Sequence, residues 1–205
     1  MSDAGHVAWM LTASALVLLM TPGLAFFYGG LVRGKNVVST MMYSYVSMAV
    51  VSVMWVLWGY SLAFGAGGDF IGNLDFIGFK DVSASGEDGG ISPMLFAIFQ
   101  MMFAIITPAL ITGAFVERFK FTTYIVFLVV WVTLVYVPIT HWVWASDGWI
   151  AGMGALDFAG GIVVHASAGI AAIVVAKMIG TPVSYTHLRA HETRHDLVCR
   201  LLLEK

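Results

Sequence analysis

The sequence contains little charge and almost no cysteine. Only 11% of its 205 residues are charged and 60% are hydrophobic, whereas about 25% of the residues of a soluble domain are charged. The one cysteine, Cys199, excludes an intramolecular disulfide framework and a cysteine-based metal cluster. The basic residues are scattered, and the net charge of -2 argues against a nucleic-acid surface. The composition is that of an integral membrane protein.

Five apolar segments are long enough to cross a bilayer as helices, which takes about 20 residues each. They cover residues 7–31, 37–64, 93–116, 121–142 and 157–179. The start of the chain lacks the basic region of a cleaved signal peptide, so the first segment is predicted to remain as a helix in the membrane. We therefore predict an all-α integral membrane protein with five transmembrane helices.

The basic residues before residue 180 lie mainly in every second connection between the segments. Five of them follow the first or third segment or lie at the end of the fifth: Arg33, Lys35, Arg118, Lys120 and Lys177. The acidic residues are concentrated in the other connections, which include a long glycine-rich stretch after the second segment. Under the positive-inside rule, this alternation places the amino terminus outside and the end of the fifth helix in the cytoplasm.

The composition changes abruptly after Gly180. Three histidines recur there every four residues, His187, His191 and His195, a spacing that would place them on one helical face as a metal site. From Val183 onward, however, the string resembles the translated sequence of a sequencing-library adaptor. We therefore predict that residues 181–205 are a non-native tail and that residues 1–180 form the domain. Native coding sequence after Gly180 in the parent DNA would contradict this prediction.

Strongly polar side chains at membrane depth usually face the interior of a helix bundle, because exposure to lipid is unfavourable. The sequence offers four: Gln100, His141, Asp157 and His165. Gln100 is predicted to bond between helices, and His141 to form hydrogen bonds near the outer boundary. Asp157 is predicted to be the N-cap of the fifth helix. Counted from Asp157, His165 would lie about 12 Å along that helix, near the middle of the bilayer.

The face of the fifth helix that carries His165 is otherwise built from small residues. They are Gly161, Ala168, Gly169 and Ala172. Small residues at this spacing allow helices to approach closely, so we predict that this face meets protein or a lumen. The pattern alone leaves two interpretations of His165 open: a core histidine bonded to a neighbouring helix, and a functional group in a pathway.

Four stretches of the sequence resemble the ammonium transporter family, the Amt/Mep/Rh group. They are MTPGLAFFYGGLVRGKNV at 20–37, GYSLAFG at 59–65, FQMMFAIITPALITGAFVERFKF at 99–121, and WVTLVYVPITHWVW with GALDFAGGIVVHASAGIAA between 131 and 172. The resemblance covers nearly all of residues 7–180. It implies that these residues are the first half of an eleven-helix fold with two inverted repeats. It also implies that the complete protein is a homotrimer with a pore in each subunit.

The resemblance assigns roles to individual residues. Phe103 and Trp144 are similar to residues of an outer vestibule that recruits ammonium by cation–π attraction, and Phe103 also to the outer ring of a phenylalanine gate. His165 is similar to the first of two pore histidines. Asp157 is similar to a carboxylate below the vestibule that orders the backbone and favours cation binding without touching the cation. The secondary candidates are Tyr28, Phe99, Gln100 and Tyr136.

The function implied by the resemblance is transport, not catalysis, with no cofactor and no metal. Ammonium or methylammonium would lose its proton near the vestibule, and the neutral amine would cross an apolar lumen of the cell (inner or plasma) membrane. The second pore histidine and the inverted second half have no counterparts in residues 1–180. We therefore expect the polypeptide to be inactive alone.

Two other functions remain open from the sequence. One is an ammonium sensor of the same fold, in which a cytoplasmic signalling domain would follow the helices. The other is a haem-binding electron-transfer subunit with His141 and His165 as axial ligands, although their different predicted depths argue against a shared haem. A PII-type regulator at the cytoplasmic face is a further candidate partner.

Overall fold

The computed structural model describes residues 4–86 and 90–180. Every regular element in these two ranges is helical. Five stretches are long and apolar enough to cross a membrane, and we number them spans 1 to 5: Ala4–Gly30, Gly34–Phe64, Pro93–Ala114, Phe121–Gly152 and Gly161–Ile179. The predicted all-α class and the predicted number of spans are confirmed. The predicted tail, with Cys199 and its three histidines, lies outside the described residues.

Spans 2, 4 and 5 each contain a π-helical segment. Span 1 is the single helix α1 (Ala4–Gly30). Span 2 consists of a 3-10 turn (Gly34–Asn36), α2 (Val37–Met54), a π-segment (Trp55–Gly59) and α3 (Tyr60–Phe64). Span 3 is α4 (Pro93–Ile111) with a 3-10 turn (Thr112–Ala114). Span 4 consists of α5 (Phe121–Trp131), a π-segment (Val132–Tyr136), α6 (Val137–Trp144) and the short α7 (Trp149–Gly152). Span 5 is a π-segment (Gly161–Ala166) followed by α8 (Ser167–Ile179).

The fifth span begins later than the sequence predicts. Residues 155–160 are not helical, and Gly160 has a left-handed backbone with φ 75° and ψ 28°, so Gly160 is the N-cap and Asp157 is not. The distance predicted for His165 along this helix is therefore wrong as well, while its depth in the bilayer stays a prediction. His165 lies four residues after Gly161, which is about 6 Å along the helix, half the distance obtained by counting from Asp157.

Aromatic side chains fill the core between spans 2, 3 and 4. The largest completely buried ones are Trp55, Phe115, Tyr124 and Tyr136. The ring centroids of Tyr43 and Tyr124 lie 4.9 Å apart at 84°, an edge-to-face arrangement that aromatic pairs favour. Contacts between these helices hold the bundle together, with α1 packed against α2 and α4.

The connections that carry most of the basic residues gather at one end of the bundle, the predicted cytoplasmic end. The Tyr43 hydroxyl donates to the carbonyl of Phe119 at 2.6 Å, which links span 2 to the connection after span 3. The Arg118 guanidinium donates to the carbonyls of Ala114 and Gly180, which links that connection to the end of span 5. The alternation of connections between two ends therefore holds in the structure, while the orientation in the membrane remains a prediction.

Candidate functional site

Asp157 holds the start of span 5 from outside the helix. Its Oδ1 accepts from the amide of Gly161 at 2.6 Å, and its Oδ2 accepts from the amides of Ile162 and Val163, both at 3.0 Å. These are the first amides of the span, which have no partner within the helix, and the helix dipole favours a negative charge beside them. Asp157 therefore performs the capping predicted for it, although it lies three residues before the N-cap.

The indole of Trp144 is fixed by the same loop. Its Nε1 donates to the main-chain oxygen of Asp157 at 2.9 Å, so one residue holds the helix amides with its side chain and the indole with its backbone. The Trp144 ring is half-buried at the end of α6. The carboxylate of Asp157 and the indole of Trp144 thus lie at the same corner of the bundle, at its predicted outer end.

Two phenylalanines of α4 complete an aromatic row next to Trp144. The ring centroids of Phe103 and Trp144 are 5.7 Å apart at 69°, and those of Phe99 and Phe103 are 5.0 Å apart at 87°. Phe99 and Phe103 are one helical turn apart, which places them on the same face of α4. We call Phe99, Phe103 and Trp144 the aromatic row. All three rings are only partly buried, so they can contact a molecule outside the described residues.

His165 lies on the π-segment of span 5 with its side chain exposed. Its amide donates to the carbonyl of Gly160 at 2.9 Å, the five-residue spacing of a π-helix, which often occurs at functional sites. Its ring forms no hydrogen bond with the described residues. Gly161 and Gly169 on the same face are exposed too, whereas Ala168 is buried. Most of the face that was predicted to meet protein or a lumen is therefore uncovered by the described residues.

The secondary candidates are distributed over three places. Phe99 belongs to the aromatic row. Tyr136 is completely buried, with its ring centroid 6.4 Å from those of both Trp55 and Trp131, so it is a core residue. Tyr28 is at the opposite end of the bundle, where its hydroxyl donates to the carbonyl of Leu110 at 2.9 Å.

Gln100 does not form the hydrogen bond that was predicted for it. The residue is 8% exposed, and its Oε1 has no hydrogen-bond partner among the described residues. It lies on α4 between Phe99 and Phe103 in sequence. A buried amide oxygen without a hydrogen-bond donor is unfavourable. The described residues therefore supply no donor for Gln100 Oε1 at this part of span 3.

His141 is hydrogen-bonded as predicted, but it is not available as a haem ligand. Its Nδ1 lies 2.9 Å from the carbonyl oxygen of Ala63, and its Nε2 lies 2.6 Å from that of Gly68. Because both ring nitrogens are occupied, the haem hypothesis that paired His141 with His165 is wrong. Within residues 4–86 and 90–180, no group of three His, Cys, Asp or Glu side chains is placed to hold a metal ion.

Sequence reasoning overlooked Gly160. A Cβ atom at this position would lie 2.8 Å from Cγ2 of Val164 and 3.7 Å from Cζ2 of Trp144, and the positive φ is one that other residues rarely adopt. Gly160 therefore separates the loop that carries Asp157 from the helix that carries His165. The pair of glycines at 160 and 161 inside an apolar run was the available signal.

One apolar groove lies elsewhere on the bundle. It has a volume of about 510 Å³ and runs between spans 4 and 5. Its lining includes Phe119, Phe127, Trp131, Ala171 and Met178, and none of the candidate residues named above. The rings of the aromatic row are partly exposed and His165 is exposed at the surface of the described residues.

The fold and this site define a multi-pass helical membrane protein with an aromatic and acidic corner at one end of its bundle. The sequence profile described as the Ammonium Transporter Family matches residues 8–202, and the chain belongs to that family. It is 51% identical over 178 residues to an ammonium transporter of Bacillus subtilis (strain 168), a match that covers 86% of this chain and 44% of the relative.

Solved structures show the same fold. The crystal structure of Candida albicans Mep2 matches with a TM-score of 0.80 and 39% identity, over 88% of this chain and 40% of that one. A structure described as a Sensor Amt Protein matches with a TM-score of 0.78 and 29% identity, over 85% of this chain and 44% of that one. The chain therefore spans less than half the length of each of these proteins.

Proposed function

We propose that residues 4–180 form the outer entrance and one wall of a pathway that carries ammonium or methylammonium across a membrane. The observation that carries this proposal is the contact of the aromatic row with the loop of Asp157. Membership in the Ammonium Transporter Family supports the class of substrate. The ammonium transporter of Bacillus subtilis supports it as well.

The entrance would attract a cation in two ways. Aromatic ring faces attract ammonium groups, by up to about 2 kcal/mol when water is excluded. The carboxylate of Asp157 adds a negative field, but it already accepts from three backbone amides, so it acts at a distance and does not ligate the cation. A cation at the bilayer centre is very unfavourable. The proton would therefore leave near the entrance, and the neutral amine would pass His165, the polar side chain exposed beyond it.

The exposed face of span 5 limits what this polypeptide does alone. His165 and the glycines beside it face away from the described residues, so these residues supply one wall and no closed lumen. We propose that the other wall comes from a second, inverted repeat in an eleven-helix subunit, and that residues 1–180 alone do not conduct. From the same family resemblance we propose a homotrimer in the cell membrane, a cytoplasmic PII-type regulator, and transport without catalysis, cofactor or metal.

A chimera tests this function. Residues 1–180 would replace the matching segment of the Bacillus subtilis ammonium transporter, and cells without their own transporter would be assayed for uptake of labelled methylammonium. We expect uptake by the chimera, none by residues 1–180 alone, and at least about a tenfold loss of affinity with Trp144→Leu, because a desolvated cation–π contact is removed. The matched control is Trp9→Leu, whose ring is 73% exposed on α1. Uptake by residues 1–180 alone, or full affinity with Trp144→Leu, would contradict the proposal.

A sensor of the same fold is the second candidate function, and the likeness to the Sensor Amt Protein favours it. A sensor would use the same entrance for binding but would not need to move the ligand across. Methylammonium binding to the purified chimera, measured by calorimetry, with no uptake into proteoliposomes would favour the sensor. Binding together with uptake would favour the transporter.

A further inference from the structure

The proposed pathway leaves one buried titratable side chain without a role. His141 lies in α6, one helical turn before Trp144, and its side chain is completely enclosed. A buried imidazole is unfavourable unless its polar atoms find hydrogen-bond partners. The partners of His141 therefore show which parts of the chain it holds.

Both partners of the ring belong to the end of span 2 and the connection after it. Ala63 lies in the last turn of α3, where main-chain carbonyls have no partner within the helix, and its carbonyl oxygen is 2.9 Å from Nδ1. Gly68 lies in the following connection, and its carbonyl oxygen is 2.6 Å from Nε2. The ring thus joins span 2, its outer connection and α6 at one point.

Both ring nitrogens of His141 lie against main-chain oxygens. Because these acceptors belong to the backbone, the ring holds the course of the chain after span 2 independently of its side chains. A carboxylate is close as well, since Oδ1 of Asp147 lies 3.9 Å from Nε2. Asp147 lies in the turn that follows α6. The ring is therefore surrounded by two main-chain oxygens and one carboxylate oxygen.

Two further hydrogen bonds reinforce the same junction. The Trp142 indole Nε1 donates to the carbonyl of Phe70 at 2.7 Å, and the amide of Trp149 donates to the carbonyl of Asp69 at 3.2 Å. We call this junction of residues 63–70 with residues 141–149 the outer clasp. Trp144 lies within its second segment, and from there its indole reaches Phe103 and the carbonyl of Asp157. The clasp therefore fixes the backbone from which Trp144 projects.

We infer that His141 is a positioning residue for the entrance: with both ring nitrogens against main-chain carbonyls of residues 63 and 68, it closes the outer clasp and so holds Trp144 in the aromatic row. His141 does not touch the proposed path of the cation, since its ring is completely enclosed by other residues. The predicted effect on transport rests on the proposed function, whereas the predicted effect on the Trp144 indole does not.

The first test uses the whole purified chain in detergent. His141→Phe keeps an aromatic ring and removes both ring nitrogens, and His141→Gln keeps a donor for one carbonyl. The matched control, Trp142→Phe, removes one hydrogen bond of the same clasp. We expect the Trp144 indole N–H signal in nitrogen NMR to move or vanish in His141→Phe, to move less in His141→Gln, and to stay in Trp142→Phe.

Several outcomes would overturn the inference. One is an unchanged Trp144 signal in both His141 variants. A loss of the helical circular dichroism signal in His141→Phe would mean that this variant does not fold. The Trp144 signal of His141→Gln then decides the test, because this variant keeps one of the two hydrogen bonds. A Trp144 signal displaced as far by Trp142→Phe as by the His141 variants would also contradict a specific role of His141.

The second test measures uptake in the chimera with the Bacillus subtilis transporter. We expect His141→Phe to raise KM for methylammonium by about threefold to tenfold, the effect of one or two lost hydrogen bonds on ring placement, while the maximal rate changes little. His141→Gln should recover part of the affinity. An unchanged KM, or a loss confined to the maximal rate, would overturn the positioning role. Failure of the unsubstituted chimera to transport would instead count against the proposed function and would leave the NMR test in force.

Discussion

Single residues at the outer end combine tasks that the sequence shows separately. Asp157 caps span 5 with its carboxylate and holds Trp144 with its main-chain oxygen. Gly160 allows Asp157 to make both contacts. Its left-handed backbone turns the chain between the Asp157 loop and the first helical residue. The loop and the helix are therefore set at an angle that a continuous helix from Asp157 could not reach.

Gly160→Ala is expected to destabilise the chain by about 1–2 kcal/mol, because alanine is strained at this φ and its Cβ would meet Val164. Denaturant unfolding of the purified chain in detergent, followed by circular dichroism, measures the loss. The control is Gly169→Ala, a helical position where a Cβ meets nothing within 4 Å and where alanine should be neutral or stabilising. Equal unfolding midpoints for the two variants would contradict this account.

The helical elements show how far hydropathy predicts the fold. The five spans follow from apolar runs, and the predicted ends of span 3 agree with the structure to within two residues. Span 5 was predicted too long, because residues 155–160 are mostly apolar and only the backbone of Gly160 reveals the break. The three π-segments were not predicted, since one extra residue in a helical turn leaves no mark on an apolar sequence.

The candidate site was predictable only through the family resemblance. An aromatic residue in an apolar run has no feature that separates Phe103 at the surface corner from Phe115 in the core. The partners of His141 were not predictable either, because they are main-chain carbonyls that lie more than 70 residues away in sequence. Contacts of this kind depend on tertiary packing, and sequence spacing carries no information about them.

The start of α4 illustrates an element whose end is fixed by one side chain. Ser92 is the N-cap, its Oγ accepts from the amide of Leu95 at 3.2 Å, and Pro93 follows at the first helical position. Ser92→Ala is expected to lower the free energy of unfolding by about 1 kcal/mol. Ser39→Ala, an exposed position within α2, should change it little. Thermal and denaturant unfolding of both variants measure the difference, and a Ser92→Ala variant as stable as Ser39→Ala would exclude the cap.

At the scale of the whole molecule, the hydrogen bonds at the two ends divide the connections into two groups. One group is joined by Tyr43, Arg118 and Asn36, and the other by the outer clasp and the Trp144 indole. Four of the six basic residues in the described part of the chain lie in the first group: Arg33, Lys35, Arg118 and Lys120. The positive-inside rule then predicts an orientation of the bundle with the candidate entrance outside.

Cysteine labelling tests this orientation. Cys199 is the only cysteine, so a Cys199→Ser background leaves no native thiol. Lys80→Cys and Lys35→Cys place exposed thiols in connections at opposite ends. We expect a membrane-impermeant maleimide to label Lys80→Cys in intact cells and to label Lys35→Cys only after the cells are opened. The reverse pattern would place the amino terminus in the cytoplasm.

The hydrogen bond from the Trp144 indole has an acceptor that no side-chain substitution removes, because it is the main-chain oxygen of Asp157. The sign of the charge at the entrance and the direction in which the indole points are therefore set by different atoms of one residue. A substitution at position 157 that preserves the loop would alter the electrostatic potential and leave the ring orientation in place. The electrostatic attraction of a cation and the orientation of the Trp144 indole could thus be changed independently of each other, by evolution or by design, in an entrance built from very few side chains.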